Sequence, residues 1–162
     1  MDGKLRNMTS LYLISGDRML LLYRVGSRVV NNVYTGAAGG HFEKDELNDA
    51  RACAIRELYE ETGLTENDIE NLFMRYITLR LKNGEVRQNY YFFADLKNPD
   101  TQINSDEGEL KWFSFDELDG VEMPFSAKYV IEHYLETGRY TDILYGGMAE
   151  RDGIDFKELK EF

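Results

Sequence analysis

Cysteine and proline are scarce in this sequence, and long hydrophobic runs are missing. The one cysteine, Cys53, cannot form an internal disulfide bond, which excludes a disulfide-stabilised fold. The longest apolar stretch, from Met19 to Tyr23, is far shorter than the roughly 20 residues that a membrane helix needs. The polar start, Met1 to Asn7, lacks the apolar core of a signal peptide. We therefore expect a cytoplasmic protein without a membrane-inserted segment.

Positive charge is also in short supply. The chain has 19 basic against 30 acidic residues, a formal net charge of -11 at pH 7. Because such a protein repels a polyphosphate backbone unless metal ions screen its acids, polymeric nucleic acid is not an expected partner. The 162 residues contain no repeat and no linker-like tract, and 43% of them are hydrophobic. This length and composition predict a single domain over residues 1–162.

Five runs rich in aliphatic and aromatic residues are typical of β-strands. They are Met8–Ser15, Met19–Val25, Leu72–Leu81, Val86–Leu96 and Leu110–Phe115. A Gly16-Asp17 turn signal separates the first two, and Asn83-Gly84, the strongest short hairpin signal of the chain, separates the third and fourth. The sequence therefore predicts one strand pair and one long antiparallel hairpin.

Two segments have helical spacing of apolar residues. The first runs from an Asp49 N-cap to Thr62 and ends before Gly63, and the second runs from about Phe125 to Leu135. Strands and helices mixed in this order predict an α+β or α/β sandwich whose sheet is covered on both sides.

Three carboxylates are concentrated on the first predicted helix. Glu57, Glu60 and Glu61 are three or four residues apart, so they lie on one helix face. Hard oxygen ligands of this kind suit Mg²⁺, and Arg56 beside them could hold a glutamate in place by a bidentate hydrogen bond. The competing interpretation is an ordinary solvated acidic face, which is what most such clusters are.

The segment Arg56–Leu64, with the sequence Arg-Glu-Leu-Tyr-Glu-Glu-Thr-Gly-Leu, resembles the C-terminal half of the Nudix box. This resemblance outweighs the solvated-face interpretation. It implies a Nudix hydrolase with an α/β/α sandwich, a mixed β-sheet and a catalytic loop-helix-loop. It also implies Mg²⁺, or Mn²⁺, as the cofactor and a nucleotide-like small molecule as the substrate.

Upstream, Gly39-Gly40-His41-Phe42-Glu43 resembles the glycine-rich opening of the same box. The resemblance implies that the Gly39 carbonyl binds the metal and that the chain at Gly40 approaches the substrate phosphates closely. Glu46 stands at the first glutamate position, as a further metal ligand with Glu43 as a competitor. Nine residues separate Glu46 from Arg56, two more than in the family pattern, which lengthens the loop before Asp49.

Two further residues extend the resemblance toward MutT-type members of the family. Arg24 ends a predicted strand, where it would reach the substrate phosphates, although an exposed arginine is also common at a strand end. Glu107 lies in an acidic loop, Ser105 to Glu109, that resembles the loop supplying a late glutamate in many members. The alternative for this loop is a simple polar turn.

The implied chemistry is substitution by water at phosphorus, with Glu57, Glu60 or Glu107 as the general base. The leading substrate is 8-oxo-dGTP or a related purine nucleoside triphosphate, cut to the monophosphate and diphosphate. The stretch from Met123 to Lys128 lacks the asparagine that reads the oxidised base in MutT, and Ser126 could make only part of that contact. An ADP-sugar or another nucleoside-diphosphate-X compound is therefore the alternative.

A non-catalytic module that senses a nucleotide is the alternative of another class, although the motif acids of the helix are complete. Cys53 is expected to pack under the loop instead of acting as a nucleophile. His41 and His133 lack the neighbours of a zinc site or a hydrolytic triad.

The end of the chain carries another hairpin signal. The runs Asp142–Met148 and Ile154–Leu159 flank Asp152-Gly153, a turn dipeptide of tight hairpins. A structured C-terminal extension over about residues 140–162 is expected. Since an exposed hairpin edge can pair with a second copy of itself, a homodimer is the expected assembly.

Overall fold

The computed structural model describes residues 1–25 and 32–162. In this part of the chain eight strands and two α-helices are present. The strands are β1 (Lys4–Ser15), β2 (Arg18–Arg24), β3 (Tyr34–Gly36), β4 (Ile69–Lys82), β5 (Glu85–Leu96), β6 (Gly108–Ser114), β7 (Leu144–Ala149) and β8 (Ile154–Leu159). The helices are α1 (Ala50–Thr62) and α2 (Phe125–Glu136). Short 3-10 turns connect them at Lys44–Glu46, Glu66–Asp68, Phe115–Gly120 and Gly138–Tyr140.

All eight strands belong to one mixed sheet, in the order β3-β2-β1-β5-β4-β7-β8, with β6 paired to β2. The β1–β5 and β4–β7 pairs are parallel, and the β1–β2 and β4–β5 pairs are antiparallel. The two long central strands β1 and β5 therefore bring distant parts of the chain side by side. Their side chains on the α2 face form a continuous surface, which we call the floor.

Each face of the sheet has its own hydrophobic core. Leu11 and Leu13 of β1 pack with Leu58 of α1 on one face, whereas Tyr12 of β1 packs with Val130 of α2 on the other. The unbroken apolar run of β1 follows from this burial on both faces. The expected α/β/α sandwich with a mixed sheet is confirmed.

Local signals placed most elements correctly. The Asp49 side chain accepts a hydrogen bond from the Ala52 N–H at 3.0 Å, and the helix it caps ends at Gly63, as expected. Asn83 and Gly84 form the β4–β5 turn with φ of 55° and 73°, the left-handed region that such tight turns require. No sequence pattern indicates the three-residue strand β3.

The C-terminal hairpin is built into the sheet. β7 pairs in parallel with β4, and β8 forms the outer edge. Tyr145 of β7 stacks on Tyr76 of β4 with ring centroids 5.5 Å apart, and Phe156 of β8 packs against the same tyrosine at 5.4 Å. The expected hairpin is present, and it contributes to the core on the α2 side. Neither α-helix of the described part of the chain is long and apolar enough to cross a membrane.

Candidate active site

Helix α1 presents its acids at the edge of the sheet. Its buried side, with Cys53, Ala54 and Leu58, packs on the sheet and fixes the rotation of the helix. Glu57 and Glu61 are consequently held near the surface of the core, with side chains 12% and 10% exposed, while Glu60 is 52% exposed. The three glutamates singled out from the sequence therefore lie on one helix in three different environments.

Arg56 is the hub that connects these acids. Its Nη1 donates to Glu57 Oε1 at 2.8 Å and to Glu60 Oε2 at 2.9 Å. Its Nη2 also donates to the His41 backbone carbonyl at 3.1 Å. The Arg56 guanidinium thus fixes the Glu57 and Glu60 carboxylates relative to the glycine-rich loop. A planar donor with several N–H groups is suited to this orienting role.

Glu46 faces Arg56 from the 3-10 turn before the helix. Its Oε1 accepts from Arg56 Nε at 2.6 Å, and its Oε2 accepts from Arg56 Nη2 and from the Glu43 N–H, both at 3.0 Å. The Arg56 hydrogen bonds lower the pKa of Glu46 to about 2. Both oxygens of Glu46 are therefore engaged in holding Arg56. Glu43 lies farther away, 3.9 Å from Arg56 Nε, and is mostly exposed.

The glycine-rich loop passes directly over Glu57. A Cβ atom built on Gly40 would collide with the Glu57 carboxylate, so only glycine leaves room for this carboxylate at its observed position. The loop itself is anchored to β1, because the Thr9 N–H donates to the Gly40 carbonyl at 2.8 Å. Burial raises the pKa of Glu57, against the opposing effect of Arg56.

This close approach predicts that Gly40→Ala displaces the Glu57 carboxylate without disturbing the fold. We expect turnover to fall at least about tenfold, because catalysis is sensitive to small displacements of catalytic groups, with the melting temperature almost unchanged. Gly120→Ala is the matched control, since nothing lies near the added methyl group there. Kinetics and thermal melts of both variants test this, and wild-type turnover of Gly40→Ala would contradict it.

Glu61 connects the helix to the loop and to β2. Its Oε2 accepts from the Gly39 N–H at 3.1 Å, and its Oε1 lies 3.4 Å from Arg24 Nη2. Burial raises the pKa of Glu61 to about 7, although Arg24 and the Gly39 N–H favour the ionised form. Arg24 Nη2 also lies 3.5 Å from Glu107 Oε2, so the acidic loop reaches the same site.

Cys53, His133 and His41 are engaged in packing or hydrogen bonds to neighbouring side chains. Cys53 is buried beside Thr9, and its pKa is raised to about 12, mainly by burial, so it stays a thiol at neutral pH. His133 Nδ1 lies 2.8 Å from the Tyr76 hydroxyl in the aromatic core. His41 Nε2 accepts from Arg6 Nε at 2.8 Å. These contacts match the structural roles expected for them.

A cavity opens beside the acids, on the α2 face of the sheet. It lies between the floor of β1, β5 and β4 and the first turn of α2, and Gly39 and Arg24 line it together with Ser126. Its lining also includes residues that the sequence did not single out, namely Arg6, Ser10, Thr78, Arg80, Arg87 and Asn89. Asn89 Nδ2 donates to Ser10 Oγ at 3.2 Å. The Asn89 amide is therefore a polar group on the cavity floor.

The α1 acids suit a hard divalent cation. Arg56 occupies one oxygen of Glu57 and one of Glu60, and no other described side chain occupies the second oxygens. In the described ranges, no three or more histidine, cysteine or acidic side chains are close enough together to hold a metal ion by themselves. Mg²⁺ commonly binds through only a few carboxylates together with waters and substrate phosphates. A cation here would also favour the ionised forms of Glu57 and Glu61, so the donors fit it.

The family of the chain follows from a sequence comparison. A family model described as NUDIX domain matches residues 4–134, which is more than half of the chain. The protein belongs to the Nudix family, and it is a hydrolase of phosphoric anhydride bonds. Nudix hydrolases generally use a divalent metal and act on small nucleotide substrates.

Solved structures share this fold at low sequence identity. The mMutator MutT protein from Bacillus halodurans is 19% identical, with a TM-score of 0.63 over 94% of this chain and 97% of that one. The MutT protein from Methanosarcina mazei Go1 is 16% identical, with a TM-score of 0.67 over 87% and 99%. A C. elegans Ap4A hydrolase is 17% identical, with a TM-score of 0.64 over 85% and 99%. At these sequence identities the structural similarity establishes only the fold. The same fold occurs in neighbours whose names differ, such as MutT and Ap4A hydrolase.

Proposed function

We propose that this protein is a Mg²⁺-dependent hydrolase that cleaves the diphosphate linkage of a nucleoside di- or triphosphate derivative. One observation carries the proposal: Arg24 and Gly39, the two residues that hold Glu61, also line the cavity. A diphosphate at this junction would lie beside a cation held by the acids of α1, while the rest of the substrate extends along the floor of the sheet. The buried Cys53 thiol is consistent with the cytoplasm as the proposed compartment.

The metal would be held by Glu57, Glu60 and Glu61 together with the Gly39 carbonyl. When bound, Mg²⁺ supplies charge neutralisation at the diphosphate and lowers the pKa of a coordinated water. Mn²⁺ has the same preference for oxygen ligands and is a candidate replacement. Glu46 was a further candidate ligand, but we assign it the task of orienting Arg56, because its two oxygens form a bidentate ion pair with the Arg56 guanidinium, at 2.6 and 3.0 Å.

The other residues position substrate and acids. Arg24 Nε is buried without a hydrogen-bond partner among the described residues, so it offers a donor to a substrate phosphate. Gly40 keeps the loop close to Glu57 and allows the phosphates to approach the backbone. Arg56 acts through Glu57 and Glu60 as a positioning residue.

Removal of a proton from the attacking water falls to Glu57, Glu60 or Glu107. Glu60 and Glu107 are about half exposed and can exchange protons with solvent, whereas Glu57 is confined under the loop. Comparison of the pH–rate profiles of Glu57→Gln, Glu60→Gln and Glu107→Gln separates the candidates, because only loss of the base removes the acidic limb of the profile.

A purine nucleoside triphosphate such as 8-oxo-dGTP is the first substrate to test. Asn89 and Ser126 line the cavity and can hydrogen-bond the edge of a base, which supplies contacts that the sequence around Ser126 did not reveal. The second candidate is an ADP-sugar or another nucleoside-diphosphate-X compound, which the arginines of the same cavity favour.

The decisive experiment measures product formation from 8-oxo-dGTP, dGTP and ADP-ribose with and without Mg²⁺. Cleavage that requires the metal supports the proposed function, and the ratios of kcat/KM rank the substrates. Equal values for 8-oxo-dGTP and dGTP would exclude a nucleotide-sanitising role. Binding of these compounds without turnover would favour the alternative of a non-catalytic sensing module.

We also propose a homodimer formed through β8, which is the outer strand of the sheet. Backbone N–H groups alternate along a strand between the two sides, so only one of Lys157→Pro and Glu158→Pro removes a donor from the open edge. We expect that variant to be monomeric and the wild type dimeric in size-exclusion chromatography with light scattering. The other variant disturbs the β7–β8 pairing and controls for damage to the hairpin. A monomeric wild type would exclude this interface.

A further inference from the structure

Three arginines stand side by side across the floor of the cavity. In the strand registers, Arg6 of β1 is the partner of Arg87 of β5, and Arg87 is the partner of Arg80 of β4. Partners in register project from the same face of a sheet, with Cβ atoms about 5 Å apart. We call these three residues the arginine row, and all three line the cavity.

The row is not neutralised by its surroundings. Arg87 Nε pairs with Glu85 Oε2 at 3.2 Å, and this is the row's one ion pair within the described part of the chain. Arg6 donates to His41, whose pKa is lowered by burial and by Arg6, so this partner is uncharged at neutral pH. The Arg80 guanidinium lies 4.4 Å from the centroid of the Phe125 ring. Three positive charges therefore face one carboxylate.

Such an arrangement is unfavourable unless an anion occupies it. Like charges on directly opposed residues destabilise a sheet. The chain as a whole carries a net charge of -11, yet the described residues that line the cavity include four arginines, of which Arg24 and Arg87 pair with glutamates whereas Arg6 and Arg80 form no ion pair with any described side chain. A solvated surface row would be expected to lie on an open face, whereas these three side chains are half-buried and Arg80 packs against Phe125 of α2. The local field is thus opposite in sign to that of the protein.

The row is separated from the catalytic acids along β1. The Gly39-Gly40 loop is anchored at Thr9, and Arg6 lies three residues farther along the strand. At the rise of a β-strand this is a separation of about 10 Å. Asn89 and Thr78 occupy the same sheet face between the two positions, one step inward from Arg87 and Arg80. The two backbone positions are thus farther apart than the two phosphates of one diphosphate.

We propose that the arginine row binds a second phosphate of the substrate, attached to the nucleoside part and remote from the scissile diphosphate. The preferred substrates are then nucleoside diphosphate derivatives that carry an additional phosphate. This inference rests on the second substrate class of the proposed function, the nucleoside-diphosphate-X compounds, because it assigns the other end of such a substrate and 8-oxo-dGTP carries no remote phosphate. The planar fork of arginine suits phosphate oxygens through paired, charge-assisted hydrogen bonds. The remote phosphate is not altered when water replaces one side of the diphosphate.

Matched substrate pairs test the proposal directly. NADPH and NADH, and likewise coenzyme A and dephospho-coenzyme A, share their scissile diphosphate and differ by one remote phosphate. With Mg²⁺ held constant, we expect kcat/KM of the phosphorylated member to be at least about tenfold higher, which is the scale of one hydrogen bond to a charged group. Equal values in both pairs would overturn the proposal.

Variants assign this preference to the row. Arg80→Gln and Arg87→Gln should each lower kcat/KM of the phosphorylated member more than that of its partner, so that the ratio approaches one. Arg151→Gln, at an exposed position in the β7–β8 turn, should keep the wild-type ratio. Because each row variant relieves charge repulsion, we expect unchanged or slightly higher melting temperatures. A ratio that survives in both row variants would overturn the assignment.

A binding measurement separates failure of this inference from failure of the proposed function. Calorimetry without metal compares adenosine 2′,5′-bisphosphate and adenosine 3′,5′-bisphosphate with AMP. Tighter binding of a bisphosphate that is lost in Arg80→Gln supports phosphate binding by the arginine row even if none of the tested compounds is hydrolysed, in which case only the proposed substrate class fails. Equal binding of AMP and both bisphosphates would reject phosphate binding by the arginine row, whatever the outcome of the turnover assays.

Discussion

Glu60→Gln and Glu61→Gln are each expected to lower kcat at least about 10²-fold while the protein stays folded. Both side chains belong to the proposed metal-binding face of α1, and glutamine offers a neutral, weaker oxygen ligand in the same volume. Glu61 is also the residue held by Arg24 and the Gly39 N–H at the mouth of the cavity. Each substitution removes negative charge from a repulsive cluster, so we expect the unfolding free energy of the metal-free protein to stay constant or rise slightly.

Steady-state kinetics with Mg²⁺ titration and thermal melts of both variants check this result. Glu66→Gln is the control, because Glu66 is an exposed glutamate close to the end of α1 that pairs with Arg51. It should retain wild-type activity. Near-wild-type, Mg²⁺-dependent turnover in both Glu60→Gln and Glu61→Gln would reject the site assignment.

Arg56→Gln is expected to lower both kcat and the free energy of unfolding. The substitution leaves the Glu46 carboxylate, with 9% of its side chain exposed, without its charged partner. Loss of one partner from such a pair costs about 3 kcal/mol in unfolding free energy, or a fall in melting temperature of roughly 6–12 °C for a chain of this size. The two carboxylates held by Nη1 also lose their common anchor. We expect kcat to fall by about 10²-fold or more.

Two companion variants separate these effects. Glu46→Gln in the Arg56→Gln background removes the uncompensated charge, so part of the stability should return while turnover stays low. Arg51→Gln breaks an exposed ion pair and should cost less than about 1 kcal/mol. Denaturant unfolding and kinetics of the set measure both quantities. If Arg56→Gln retained full stability, the assignment of Glu46 as the partner that fixes Arg56 would be wrong.

Short-range signals explain why much of the fold was predictable. The Asp49 cap, the Asn83-Gly84 turn and the periodicity of α1 act within a few residues, and the structure follows them closely. The strand β3 and the early start of β1 at Lys4 depend on partners far along the chain. A strand of three residues has too little pattern of its own to be recognised.

The candidate site was predictable to the extent that its residues lie on one helix. Glu57, Glu60 and Glu61 follow from helical spacing, whereas Asn89 comes into the cavity through the parallel pairing of β1 with β5, which no local pattern indicates. The Arg80–Arg87 pair did have a readable signal. A two-residue turn at Asn83-Gly84 fixes the hairpin register and places these two arginines opposite each other.

The parallel pairing of β7 with β4 has a consequence for biosynthesis. Tyr145 of β7 completes the core against Tyr76 of β4, so this part of the sheet cannot form until β7 has left the ribosome. Until then the edge of β4 is unpaired and can associate with other nascent chains. Ribosome-bound chains that stop short of β7 should therefore be protease-sensitive and recruit chaperones.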